Sequence, residues 1–165
     1  MHSRYIMPLK RRRLNRTNYR KRLALVKTGV PRAVIRKSLK HTRVDIVEYR
    51  PSGDRVVSHG CTIELKKFGW KAPTGNLPSA YLAGYMSGLR ARKKGITKVY
   101  ADLGLQKVVK GGRLMAAIKG LLDAGIDIPV DEDLLPDESH LKGEHLESVD
   151  NKSIEIVKKA MEELL

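Results

Sequence analysis

The chain has 165 residues, 33 of them Lys or Arg against 18 Asp or Glu, for a net charge of +15. Apolar residues make up 41%, enough for one domain with a real core and too many for a wholly disordered chain. One cysteine, Cys61, excludes an internal disulfide framework, and no apolar run approaches the roughly 18 residues of a membrane span.

The charge is unevenly placed. Residues 1–50 hold 16 basic and 2 acidic side chains, residues 51–113 hold 12 and 3, and residues 114–165 hold 5 and 13. A large positive charge repels itself in the compact state and persists where a polyanion neutralises it. The first two segments suit a nucleic acid. The last would be repelled by one, and is expected to face away from it or to meet a basic partner.

Residues 1–13 read as an extended arm, because the run Lys10, Arg11, Arg12, Arg13 resists folding alone. Its basic start has no apolar segment behind it, so it is not a secretory signal, although an Arg-rich, acid-poor start also fits an organelle transit peptide. The expectation is a soluble protein of a reducing compartment. A helix is expected from a Thr17 cap to Lys27, ended by Gly29, with Tyr19, Leu23 and Val26 as its apolar stripe.

Three Val- and Ile-rich runs follow: Arg32 to Ser38, Thr42 to Tyr49 and Arg55 to Thr62. The turn Pro51-Ser52-Gly53-Asp54 joins the last two, and the whole reads as an antiparallel meander. Residues 66–78 read as a loop. Asn76 then caps a helix to about Lys94, with Pro78 in its first turn and Gly95 at its end. Its small face, Ala80, Gly84 and Gly88, is expected to lie against the sheet. A strand at Lys98 to Leu103, a helix from Arg113 to Ala124 and a last short strand at Ile126 to Ile128 complete the core. Residues 131–151 read as acidic and irregular, and a final helix spans about Ser153 to Leu165.

The expected architecture is α/β: a mixed sheet with an antiparallel three-strand meander, covered by helices. A basic arm and helix (residues 1–28) precede the core (29–130), and an acidic helical extension (131–165) follows it.

Phosphates need cations spread along a reachable surface, and arginine adds a planar fork that stacks on bases. The first candidate stretch is therefore Lys10, Arg11, Arg12, Arg13, Arg16, Tyr19, Arg20, Lys21 and Arg22, against the bland reading of a solvated tail. The second is Arg32, Arg36, Lys37, Ser38, Lys40, His41 and Arg43, where a polar sheet face fits an RNA minor groove. Its bland reading is an edge protected by charge. The third is the loop with Lys66, Lys67, Lys71, Thr74 and Asn76. The aromatics Phe68 and Trp70 in that loop are expected to plug the core rather than stack on bases.

Enzyme signals are weak. His59 and Cys61 share one side of a strand, which permits a Cys–His pair, but nothing in the sequence flanks them with an orienting group. Asp45, Asp54 and Asp102 as a magnesium site would make a metal-dependent RNA-processing nuclease, the alternative function. Gly111-Gly112 lacks the Gly-Lys-Ser/Thr of a phosphate loop and reads as a helix start. The five histidines and one cysteine give no zinc spacing, so no cofactor or metal is expected. A third reading, an anionic-membrane binder, lacks a helix face both basic and apolar.

The stretch RYIMPLKRRRLNRTNYRKRLALVKTGVPRAVIRKS resembles the N-terminus of the large-subunit ribosomal protein family called L-eighteen, in its archaeal form. GWKAPTGNLPSAYLAGYMSGLRA is similar to a block of the archaeal members, and ADLGL with KGGRLMAAIKGLLDAGIDIP to the next strand and helix. The acidic end beyond Ile128 is a further archaeal-type mark. The resemblance implies a non-catalytic constituent of the cytoplasmic ribosome. It would bind 5S rRNA and seat it in the central protuberance, touching large-subunit rRNA and neighbouring proteins, with no membrane and no small-molecule substrate. Lys10 to Arg13, Arg16, Tyr19 and Arg20 match the RNA-facing segment of that family. In its first strand turn Ser38, Lys40 and His41 match, while Leu39 stands where many members have asparagine.

Overall fold

The computed structural model describes residues 6–144, 146 and 151–164. Its elements are α1 (Lys10–Arg13), α2 (Tyr19–Lys27), β1 (Arg32–Lys37), β2 (Thr42–Glu48), β3 (Arg55–Cys61), a 3-10 turn (Glu64–Phe68), α3 (Leu77–Arg92), β4 (Tyr100–Asp102), α4 (Arg113–Asp123), a second 3-10 turn (Glu132–Leu134), α5 (Glu138–Lys142) and α6 (Asn151–Leu164).

The sheet order is β3-β2-β1-β4. β1 pairs antiparallel with β2 and β2 with β3, as the meander requires, while β4 lies parallel to β1. The antiparallel pairs follow from short turns; the parallel pair follows from α3 carrying the chain back across the sheet. Alternation decides the faces. Ala33, Ile35, Val44 and Ile46 point to the helices and are fully buried. Arg32 and Arg36 point the other way, as expected, and leave a polar face.

α3 and α4 pack unusually close. A Cβ on Gly84 would collide with the Ala117 carbonyl, and one on Gly120 with the Tyr81 carbonyl. The small face therefore meets α4, not the sheet as the sequence suggested. Against the sheet, the close approach comes from β3 instead: Gly60 abuts Ala83 and Ser87, and the Ser58 hydroxyl donates to the Ser87 carbonyl at 2.6 Å. Every side chain at Gly84 or Gly120 would have to push the two helix backbones apart.

The opposite side of α3 builds a second core with Leu65, Trp70, Leu141, Ile154, Val157 and Met161. Trp70 is 3% exposed and Phe68 packs partly buried beside it, so both aromatics serve the core as expected. The acidic extension is more ordered than its composition suggested. Asp131 caps the second 3-10 turn, and α5 tucks Leu141 against α3. α6 buries Ile154, Val157 and Met161 at helical spacing. Lys158 Nζ lies 4.7 Å from the Tyr81 ring centroid and 5.1 Å from that of Tyr85. Tyr81 donates to Asp123 Oδ2 at 2.7 Å, and Tyr85 donates to Glu162. Burial, then the bond to Asp123 and its charge, holds the Tyr81 phenol well above the usual range. Burial, then the bond to Glu162, pushes Tyr85 up to about 12.

Other expectations need correction. The arm forms one helical turn at α1, which buries no residue. Asn18, not Thr17, caps α2, because the Thr17 hydroxyl accepts from Arg11 Nε at 2.9 Å. Leu23 is 55% exposed, so the inner side of α2 runs through Tyr19, Arg22, Leu25 and Val26. Residues 126–128 form only a parallel bridge, Lys98 to Asp127, with Ile126 and Ile128 buried beside it. Residues 1–5, 145, 147–150 and 165 of the expected arm, extension and last helix lie outside the described residues.

β3 is an edge strand. Arg90 Nη1 donates to the His59 carbonyl at 2.6 Å, and Lys94 Nζ donates to the Val57 carbonyl. The end of α3 and the turn after it thus occupy two outward carbonyls of that edge.

Candidate nucleic-acid interface

Asn15, at φ 49, breaks the chain between α1 and α2 and turns the arm onto the side of the sheet. Lys10, Arg11, Arg12, Arg13, Arg16, Arg20 and Lys21 are all exposed. Among the described residues none of these seven has a carboxylate in ion-pair reach; Arg11 donates to Thr17 and Arg13 to Met7 Sδ. Tyr19 is half-buried. Arg22 differs, because it pairs with Asp54 at 3.0 Å.

The arginines of β1 are tied inward. Arg32 is 2% exposed, with Nη2 at 2.7 Å from Asp54 Oδ2 and Nη1 at 2.9 Å from Asp102 Oδ2. A guanidinium so clasped between two carboxylates has no open side for a phosphate. Arg36 Nη1 donates to the Ile35 carbonyl at 2.9 Å and the Asp102 carbonyl at 2.6 Å, while Nη2 donates to Asp102 Oδ1 at 3.1 Å. Its side chain remains 38% exposed. Arg43 keeps 57% of its side chain in solvent while pairing with Asp45 at 2.9 Å.

The β1–β2 turn and the loop before α3 meet, although 33 residues separate His41 from Thr74. The Ser38 hydroxyl and the Ser38 N–H both bond the His41 carbonyl, at 3.0 and 2.7 Å. Thr74 Oγ1 donates to the Lys40 carbonyl at 3.1 Å and lies 3.0 Å from His41 Nδ1. Arg113 Nη1 then bonds the Gly75 carbonyl at 2.9 Å and the Leu39 carbonyl at 3.4 Å. The sequence reading missed Arg113 as the staple of this corner. Its one signal was its place after Gly112, at a helix start that the turn has to meet. Lys37, Lys40, Lys66, Lys67 and Lys71 are exposed around this corner, and Leu39, 88% exposed, forms its tip. Asn76 is committed to capping α3, accepting from the Ser79 N–H at 3.0 Å, and its Nδ2 is buried without a partner.

The residues singled out for catalysis are drawn into other bonds. His59 Nδ1 lies 2.5 Å from Asp45 and Nε2 3.1 Å from Glu64, so this imidazole is committed to carboxylates rather than to Cys61. The two carboxylates are orienting groups the sequence did not reveal, and they tie the ring to Arg43 and Arg90 rather than to the thiol. Asp45, Asp54 and Asp102 each face arginine. Among the described residues no group of three His, Cys, Asp or Glu side chains is placed to hold a metal. Gly112 caps α4, as a helix start would. No described helix is long and apolar enough to cross a membrane.

Comparison with known proteins gives the same direction as the charge. Residues 3–97 match the family described as ribosomal large-subunit proteins 60S L5 and 50S L18. A large ribosomal subunit protein uL18 of Aeropyrum pernix is 48% identical over 144 residues, covering 87% of this chain and 67% of its own. That of Korarchaeum cryptofilum is 44% identical over 149 residues, 90% of this chain and 76% of its own. That of Haloarcula marismortui is 43% identical over 149 residues, 90% of this chain and 80% of its own. The chain belongs to this family of ribosomal large-subunit proteins, alongside its archaeal uL18 members.

Proposed function

We propose that this protein binds 5S rRNA and seats it in the central protuberance, with large-subunit rRNA and neighbouring ribosomal proteins as its further partners. As a family member it is a structural constituent of the large subunit of the cytoplasmic ribosome, in a family with no catalytic role indicated. One observation carries the finer reading. Seven exposed cations on the arm and α2 have no carboxylate partner within the described fold, so their charge is left for a polyanion.

The contact set proposed is the arm with Lys10 to Arg13, Arg16, Tyr19, Arg20, Lys21 and Arg22, the turn with Lys37, Ser38, Lys40 and His41 beside Arg36 and Arg43, and the loop with Lys66, Lys67, Lys71 and Thr74. Asn76 and Arg32 act behind that surface, one by capping α3 and the other by clasping two aspartates. In this reading residues 1–28 grip, residues 29–130 present the sheet and its corner, and residues 131–165 stay off the RNA.

The test is a binding titration of 5S rRNA. With six to ten phosphates engaged, affinity falls about 10³ to 10⁵-fold between 50 and 200 mM salt. A salt-independent affinity, or no preference for 5S rRNA over an unrelated RNA of equal length, would defeat the proposal.

A further inference from the structure

A cleft of about 290 Å³ opens between α2 and the segment after β4, with Arg36 in its wall. The Arg36 guanidinium is immobilised by three hydrogen bonds from its two Nη atoms, all in the plane of the group. Gly104 covers one face of that plane. A Cβ built there would stand 3.0 Å from Cζ, 3.0 Å from Nη2 and 3.4 Å from Nη1, and such near-equal distances arise over the face, not at an edge. Gly104 has φ +62, a conformation that favours glycine. With one face taken by Gly104, the side chain is still 38% exposed and lines the cleft.

Leu25 and Val108 supply apolar walls to this cleft, and Arg16 and Lys21 stand at it as cations without carboxylate partners among the described residues. Gln106 is fixed beside Arg36, donating to the Ile35 carbonyl at 3.1 Å and accepting from the Lys37 N–H at 3.1 Å. Three N–H groups at the Nη end of Arg36 are spent, so this flat, rigid cation cannot take a phosphate end-on between its two Nη atoms. It can stack. We propose that this cleft receives one unpaired base of the bound RNA, stacked on the Arg36 plane, with Arg16 and Lys21 holding its flanking phosphates. The proposal rests on the reading that this side of the protein meets RNA.

The test is base-reactive chemical probing of 5S rRNA bound to the full chain. Wild type protects one unpaired base within a wider footprint. Arg36→Lys keeps the charge and removes the plane; that base regains reactivity, the rest of the footprint persists, and affinity falls about 5- to 150-fold, the loss of one stacked base. Val108→Trp leaves Arg36 in place and fills the cleft with a resident ring, so it releases the same base even if Arg36→Lys unfolds. Footprints of both variants identical to wild type overturn the stacking platform while leaving RNA binding intact. No footprint with wild type overturns the RNA reading beneath it.

Discussion

The two ends of this chain handle charge in opposite ways. In the basic first third, α1 and α2 bury no residue fully, and seven cations face solvent without carboxylate partners among the described residues. In the acidic last third, charge is partly turned inward. Asp123 and Glu162 accept from buried tyrosines, Lys158 lies over both rings, and Ile154, Val157 and Met161 close the second core. One end contributes little to the fold and is free to bind; the other is built into the fold. In the proposed function a polyanion supplies, for the first region, the partners that the second region finds within the chain.

The sharpest way to break this contrast is to delete residues 1–22. RNA affinity should drop by more than about 10³-fold, because several phosphate contacts go at once. The thermal midpoint of the core should move little, since none of the segment's described residues is buried. A folded core that still binds 5S rRNA tightly would erase the division of labour. Cutting into the other end should do the reverse. Met161→Ala empties a fully buried site and should cost about 2–5 kcal/mol by denaturant melts, with RNA affinity close to wild type.

A titration separates the ends further. Tyr81 and Tyr85 are neutral phenols whose folded pKa values lie above the ordinary 10.0. The unfolded chain ionises first, so their contribution is complete below about pH 10 and is lost as pH rises through the folded values. Stability should fall above pH 10, and Tyr81→Phe should flatten that limb. At neutral pH the same change should cost about 1–3 kcal/mol, because Asp123 loses its donor. An alkaline limb unchanged in Tyr81→Phe would refute the assignment. The smallest effect concerns the exposed tip of the first turn. Leu39→Asn should tighten 5S rRNA binding by about 2- to 10-fold, the value of one hydrogen bond, and leave the melt unchanged. Unchanged binding would place that tip off the RNA.

Much of this was legible from local pattern. The meander follows from three β-rich runs and one Pro-Ser-Gly-Asp turn. Asn76 caps α3 because the sequence around it obeys capping rules, and the charge asymmetry is plain arithmetic. What failed to show was pairing across distance. No local rule says that Arg32 closes on Asp54 and Asp102, which removes it from the set of free cations. Nor does one say that Arg113 reaches the turn at Leu39, or that Gly84 faces α4 and not the sheet. Short helices in the acidic stretch were missed because their stability comes from Leu141 and α3, not from their own composition. His59 looked free of orienting groups only because Asp45 and Glu64 belong to other elements.

The outer rim of the sheet bears on the life of the protein before assembly. A chain made ahead of its RNA meets many copies of itself, and an open strand rim is where copies would zip together. Arg90, in the last turn of α3, and Lys94, just beyond it, occupy that rim with their side chains. Two positions on the edge where unassembled copies would zip together are thereby already taken.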